Sequence, residues 1–153
     1  MRVLVADPSP LLREVLSAPF WDVAADDVEW AGAVGSLTEL RSACQRVRPH
    51  TVLSACGFAD GDLLDAMPEL LRAGARVLVV CTSTGTEVLS ALLFAGASGC
   101  LSVDDCAPSA VVAAARTVAA GHAALHPVAA AAVLQQWRMM RGSSDGRPPR
   151  SEP

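Results

Sequence analysis

The chain has 153 residues, of which 52% are apolar and only 4% aromatic, and its formal net charge at pH 7 is −4. This length and composition predict one close-packed domain with a tail and exclude a disordered chain. The acidic balance lacks the basic patch with which proteins hold nucleic acid. All 12 basic residues are Arg, so every mechanism that needs a lysine amine is excluded.

The cysteine spacings match neither a zinc-binding nor a C-x-x-C pattern. The cysteines are Cys44, Cys56, Cys81, Cys100 and Cys106. An odd number of thiols without a secretory signal predicts a reducing, cytoplasmic location, and no apolar run is long enough to span a membrane. We expect buried, inert thiols, since the sequence places no cation beside them to lower a thiol pKa; a redox switch is the alternative.

Apolar strand-like runs alternate with helical periodicity along the first half of the chain. Ser9 and Pro10 predict the start of a helix, and Ser36 with Glu39 forms a capping-box pattern at the start of another. The predicted elements are, in order, strand 2–6, helix 10–18, strand 28–34, helix 36–47, strand 51–53 and helix 60–71.

The second half continues the alternation, with RVLVVC at 76–81 as its clearest buried strand. Its predicted elements are strand 76–81, helix 87–94, strand 99–103, helix 108–121 and helix 128–141. Together the elements predict an α/β fold with a doubly wound, five-stranded parallel sheet, flavodoxin-like, in strand order 2-1-3-4-5 and with an extra C-terminal helix. We expect a domain over 1–126, an extension helix over 127–141 and a flexible linker over 142–153.

Five stretches of the sequence resemble a response-regulator receiver domain, of the kind found in NarL/FixJ (LuxR-type) transcription regulators. They are RVLVADPSPLLREVL, RPHTVLSAC, RVLVVCT, AGASGCLSVDD and TVAAGHAALHPVAAAAVL, and they cover about residues 1–140. AGASG and VAAG are the best cues, and they concern packing rather than chemistry. The resemblance implies the receiver fold.

The chemistry of that family needs two acids after strand one, an acceptor aspartate after strand three, a Thr or Ser after strand four and a Lys after strand five. A hard cation such as Mg²⁺ needs those carboxylates as ligands. By position this chain keeps only the first acid, Asp7, and Ala55 stands at the acceptor position. A methyl group neither takes a phosphoryl group nor ligates a metal.

The other positions of this degenerate phosphorylation pocket have changed as well. Pro8 replaces the second acid, Cys81 replaces the Thr or Ser with Thr82 beside it, and Cys100 replaces an aromatic residue. Val103 replaces the Lys, or Asp104 does if the register slips by one. The full set is Asp7, Pro8, Ala55, Cys56, Cys81, Thr82, Cys100, Val103 and Asp104. A displaced acceptor at Asp60, Asp62 or Asp65 is the alternative, although acids at a helix start are ordinary caps.

The resemblance therefore implies a phosphorylation-independent regulatory and dimerisation domain of a LuxR-type transcription regulator, neither an enzyme nor dependent on a metal or cofactor. The expected partner is a second copy, or a different chain in a heterodimer, with DNA bound only through a helix-turn-helix domain outside this chain. The candidate dimer surface comprises Leu11, Leu12, Val111, Val112 and Ala115.

Two alternatives stay open. One is a stand-alone or ligand-sensing protein that binds an apolar small molecule in the vacated acidic pocket, lined by Ala55, Cys56, Cys81 and Val103. The other is a flavin- or nucleotide-binding enzyme that uses the hydroxyl-rich turn Thr82–Thr86, where a following helix N-terminus favours anions.

Overall fold

Apolar strands and amphipathic helices alternate around one parallel sheet. The computed structural model describes residues 1–21, 27–81, 86–105, 107–125 and 127–145. The strands are β1 (Arg2–Ala6), β2 (Glu29–Val34), β3 (Thr51–Ser54), β4 (Gly57–Phe58), β5 (Gly61–Asp62), β6 (Arg76–Cys81), β7 (Gly99–Ser102) and β8 (Ala124–Leu125). The helices are α1 (Pro10–Trp21), α2 (Leu37–Val47), α3 (Leu63–Arg72), α4 (Thr86–Phe94), α5 (Pro108–Ala119) and α6 (Pro127–Asp145).

The large sheet has the order β2-β1-β3-β6-β7-β8, and its neighbouring strands are parallel. Its first five strands confirm the predicted order 2-1-3-4-5. The sixth strand, β8, was not predicted, because two residues are too few to produce a strand pattern in the sequence. It pairs with β7 at Gly99, where an added Cβ would overlap the Ala124 carbonyl group.

Two apolar clusters cover the two faces of the sheet. One contains buried residues of α2, α3 and α4, including Leu40, Met67 and Leu92. The other contains buried residues of α1 and α5, including Leu16 and Val111. The strands between them are apolar on both sides, as expected for a parallel sheet buried on both faces.

The caps of the first two helices follow from the sequence. The Ser9 hydroxyl accepts from the Leu12 amide at 3.3 Å, and the Ser36 hydroxyl accepts from the Glu39 amide at 3.1 Å. Helix α1 continues to Trp21, beyond the predicted end near residue 18, because Phe20 is buried in the core.

Strand β2 pairs with β1 irregularly. The register shifts between Val3 and Leu4, whose partners are Trp30 and Gly32. Gly32 has a φ of +127°, a backbone conformation that glycine adopts far more readily than other residues. The outer strand therefore carries a bulge.

Residues 56–63 form a compact connection between β3 and α3, which we call the 56–63 segment. Gly57 pairs with Asp62 and Phe58 with Gly61 in a two-stranded antiparallel ladder. The Leu63 amide donates to the Cys56 carbonyl oxygen at 2.9 Å. Helix α3 therefore begins at Leu63, and the sequence-based expectation of a helix from residue 60 was wrong.

Helix α6 packs against α4. Residues 142–145, which were expected in the linker, continue this helix, and residues 146–153 lie outside the described part of the chain. The guanidinium carbon of Arg141 lies 4.9 Å from the centroid of the Trp137 ring, one helical turn away. Within the described ranges, no helix is both long and apolar enough to cross a bilayer.

Candidate functional site

Asp7 and Ala55 are the first residues beyond two neighbouring strands. The Ala55 amide donates to the Ala6 carbonyl oxygen at 2.8 Å, and the Asp7 amide donates to the Val34 carbonyl oxygen at 3.1 Å. The structure therefore places Asp7 beside Ala55 at the carboxyl end of the sheet, where ligands of such folds bind.

Asp7 serves as a structural acid at the start of α1. Its side chain is 4% exposed, and its Oδ1 accepts from the Ser9 amide at 2.8 Å. Burial raises the pKa of the Asp7 carboxyl, while the Ser9 hydrogen bond and the Arg13 charge lower it in part. Arg13 Nη1 donates to the Asp7 carbonyl oxygen at 2.7 Å.

A metal ion has little to bind at this edge. The neighbouring Pro8 is exposed and offers no carboxylate, and Ala55 offers only a methyl group. Among the residues described, no group of three or more His, Cys, Asp or Glu side chains is arranged to hold a metal ion.

The thiols of Cys56, just beyond β3, Cys81, at the end of β6, and Cys100, within β7, lie close together. Hydrogen bonding to Cys100 and Cys56, together with burial, raises the pKa of the Cys81 thiol far above its ordinary value. Burial alone raises the pKa of the Cys44 thiol, elsewhere in the core, to about 12. Cys44, Cys56, Cys81 and Cys100 are thiols rather than disulfides. Because thiolates are the reactive form, these environments favour packing over redox chemistry.

The pocket predicted for an apolar ligand is not assembled as expected. Cys56, Cys81 and Cys100 pack with the cluster of α2, α3 and α4. Val103 begins a short 3-10 turn, Val103–Asp105, and packs with the α1 and α5 cluster on the other face. Asp104 is exposed to solvent. Residues 82–85, which include Thr82 and most of the hydroxyl-rich turn proposed for flavin or nucleotide binding, lie outside the described residues.

Asp60, proposed from the sequence as an alternative acceptor, is exposed and is held by hydrogen bonds to the start of α2. Its Oδ1 accepts from the Leu37 amide at 2.9 Å, and its Oδ2 accepts from the Thr38 amide at 2.9 Å and the Thr38 hydroxyl at 2.8 Å. These hydrogen bonds lower the pKa of the Asp60 carboxyl to about 2. The carboxylate caps the N-terminus of α2 from the 56–63 segment.

The candidate dimer surface is only partly accessible. Leu11 is 69% exposed on α1, and Leu12 is half-buried. Val111 and Ala115 face the sheet and are fully buried, so their assignment to a surface was wrong. Val112 is 8% exposed and forms part of a shallow groove between α1 and α5. The prediction failed because Ala and Val occur on both faces of α5, so the sequence does not distinguish the buried face from the exposed one.

An apolar groove of about 350 Å³ opens beside the predicted pocket, between the 56–63 segment and α4. Of the residues predicted to line a ligand pocket, it contains only Cys56. The groove depends on how α4 packs over the segment, and no local pattern in the sequence reports that.

No protein-family model matches the chain, and no curated protein matches it. Its fold is that of the receiver domains, as comparison with solved structures shows. The structural neighbours include receiver domains of LuxR- and NarL-type response regulators at 16–21% sequence identity. The likeness therefore establishes the fold.

Three neighbours illustrate it. A two-component response regulator of the LuxR family from Aurantimonas sp. SI85-9A1 has a TM-score of 0.77 at 19% identity, over 90% of this chain and 97% of that chain. The receiver domain of the putative response regulator NarL from Mycobacterium tuberculosis has a TM-score of 0.72 at 21% identity, over 79% and 97%. RcsB, in a structure of two dimers bound to two parallel DNAs, has a TM-score of 0.75 at 16% identity, over 97% and 78%.

Proposed function

We propose that this chain is a receiver-like regulatory and dimerisation domain of a LuxR-type transcription regulator that works without phosphorylation. The observation that carries the proposal is the position of Ala55. Its amide is hydrogen-bonded to the Ala6 carbonyl oxygen, so the acceptor position at the end of β3 carries only a methyl group. A phosphoryl group requires a nucleophile there, and none is present at that position.

Further changes at the same edge support the proposal. The second acid is replaced by Pro8, and the chain contains no Lys to contact a phosphoryl oxygen. Asp7 is a single carboxylate whose Oδ1 accepts from the Ser9 amide, and the carboxylate of Asp60, the alternative acceptor, accepts hydrogen bonds at the start of α2. Binding to another protein chain is then the means by which the domain acts.

Association with a second copy is supported by the fold likeness and by the exposed side of α1. RcsB, one structural neighbour, is described as dimers on DNA. In this chain Leu11 and Val15 are exposed on α1, beside the groove that Pro19, Val112 and Arg116 help to line. DNA contact would belong to a domain outside this chain.

Phosphorylation is tested with acetyl phosphate and Mg²⁺. We expect no increase in mass by intact-protein mass spectrometry, because the acceptor and its cation ligands are missing. The same assay on a phosphorylatable receiver domain is the positive control. A hydroxylamine-labile phosphoryl adduct on the wild-type chain would contradict the proposal.

Dimerisation is tested by sedimentation velocity without any phosphodonor. We expect a dimer, and we expect Leu11→Glu to shift the population to monomer by placing charge in the apolar contact. Phe94→Glu is the matched control, since Phe94 is 62% exposed on α4, on the other face of the sheet. A wild-type chain that sediments as a monomer at high concentration would overturn the dimerisation part of the proposal.

A further inference from the structure

The groove between the 56–63 segment and α4 combines an apolar interior with an acidic rim. Leu64 on α3 and Val88, Ala91 and Leu92 on α4 supply the apolar surface. Asp62, at the start of α3, and Glu87, in the first turn of α4, lie in the same lining. Its volume of about 350 Å³ falls within the range of small-molecule sites.

The two carboxylates have no partner among the described residues. Asp62 stands at the N-cap position of α3 without a side-chain capping bond. Glu87 lies in the first turn of α4, and neither it nor Asp62 forms an ion pair with the described Arg residues. Both carboxylates stand at helix N-termini, where the helix dipole favours negative charge. The rim therefore presents two negative charges beside apolar surface, and no cation of the described chain neutralises them.

We propose that this groove binds a small amphipathic cation, an apolar ring system that carries an amine. The ring lies on Leu64, Val88 and Ala91, and the ammonium group lies between Asp62 and Glu87. An anion of the same shape is rejected by the rim, and a neutral analogue gains only the apolar contact. The site lies beside the vacated phosphorylation pocket, and the proposal does not depend on whether the chain is phosphorylated.

The charge preference is tested with three probes that share one apolar body: 2-naphthylmethylamine, 2-naphthylmethanol and 2-naphthoate. Isothermal titration calorimetry on the full chain gives the affinities, and backbone amide shifts in NMR spectra locate the site. We expect the amine to bind about three- to tenfold more tightly than the alcohol, the size of two partly exposed ion pairs. We expect the carboxylate to bind weakest, and the largest shifts at Cys56, Gly57 and α4.

Two variants separate the charge from the groove. Asp62→Asn combined with Glu87→Gln keeps the shape, so the amine should fall to the affinity of the unchanged alcohol. Ala91→Phe fills the groove and should abolish binding of both probes. Glu14→Gln, which removes an exposed acid on α1, is the matched control and should change neither affinity.

Three results would overturn the proposal. They are no amine binding at millimolar concentration, shifts centred away from the groove, or an amine preference that survives the double charge variant. Because the double variant alters only exposed side chains, the test holds even if Ala91→Phe fails to fold. None of these results bears on the phosphorylation assay, which tests the proposed function separately.

Discussion

Asp7 and Asp60 lie at the same end of the molecule, yet their surroundings act on them in opposite directions. Asp60 accepts three hydrogen bonds from Leu37 and Thr38, which lower the pKa of its carboxyl to about 2. Asp7 is buried, accepts one from Ser9, and has a raised pKa. The folded chain thus stabilises the charge of Asp60 and disfavours that of Asp7.

The difference separates two roles of polar side chains at this edge. Asp60 holds the 56–63 segment to α2 and so fixes the framework around the strand ends. Asp7 remains at the end of β1 without the partners that metal binding needs. The framework is maintained by its own interactions, independently of any chemistry at Ala55, and the following changes test that separation.

The largest effect should come from the buried anchor of the framework. Leu63→Ala removes the fully buried side chain that ends the 56–63 segment and lies in the cluster of α2, α3 and α4. We expect the free energy of unfolding to fall by about 2–5 kcal/mol, measured by urea denaturation, because a cavity is left in the core. Leu64→Ala is the matched control, since Leu64 is 43% exposed, and should cost far less. Equal losses in the two variants would mean that the segment is not anchored by burial.

The far edge of the sheet should respond next. Gly99→Ala places a Cβ against the Ala124 carbonyl group, so β8 has to move away from β7. We expect a loss of about 1–3 kcal/mol in urea denaturation, as for other overpacked sites. Amide hydrogen exchange should also quicken at β8. Gly57→Ala is the control, because its added Cβ meets only the Asp62 carboxylate at 3.6 Å. Unchanged exchange at β8 would contradict the prediction.

A smaller effect is expected at the cap of α2. Asp60→Asn should lower the melting temperature at pH 7, because it removes the charged acceptor of two backbone amides and a hydroxyl. The Asp60 pKa is lowered on folding, from 3.8 to about 2, so its contribution is fully present above pH 3.8 and is lost as the pH falls towards 2. Melting curves of the two proteins should therefore converge over that range. Asp65→Asn, on an exposed acid of α3, should change little; a gap that persists at pH 2 would rule out the charge as the cause.

The smallest effect, of opposite sign, is expected at Asp7. The Asp7 pKa is raised on folding, so its favourable contribution is present below pH 3.8 and is lost as the pH rises through the folded-state pKa. Asp7→Asn removes the buried charge and keeps an oxygen to accept from the Ser9 amide. We expect a small rise in melting temperature at pH 7 and none near pH 3. A fall at pH 7 would show that the charge of Asp7 stabilises the fold.

The parallel sheet could be predicted from the sequence because its long strands are distinctive apolar runs. The run Arg76–Cys81 is apolar, β-branched and bounded by turn residues, and the structure has a strand over those residues. Strands β4, β5 and β8 were not predicted, because two-residue strands have no periodicity. Strand β8 also depends on the pairing of Ala124 with Gly99, which is distant in the chain.

The sequence predicted which residues lie at the strand ends of the site, but not which face of the sheet each side chain occupies. The order of the strands places Asp7 beside Ala55, and both are where the sequence indicated. The separation of Val103 from Cys81 was not predictable, since it depends on which face of the sheet each side chain occupies. Likewise the burial of Val111 and Ala115 depends on the rotation of α5, which an Ala-rich helix does not encode clearly.

Both outer strands of the sheet are poor templates for a further strand. On one side β8 is only two residues long, and α6 begins at Pro127. On the other side the bulge at Gly32 interrupts the regular spacing of β2. Short or bulged outer strands resist pairing with another chain, which protects against aggregation. The helical surfaces are therefore left as the places where a second chain can associate with this domain.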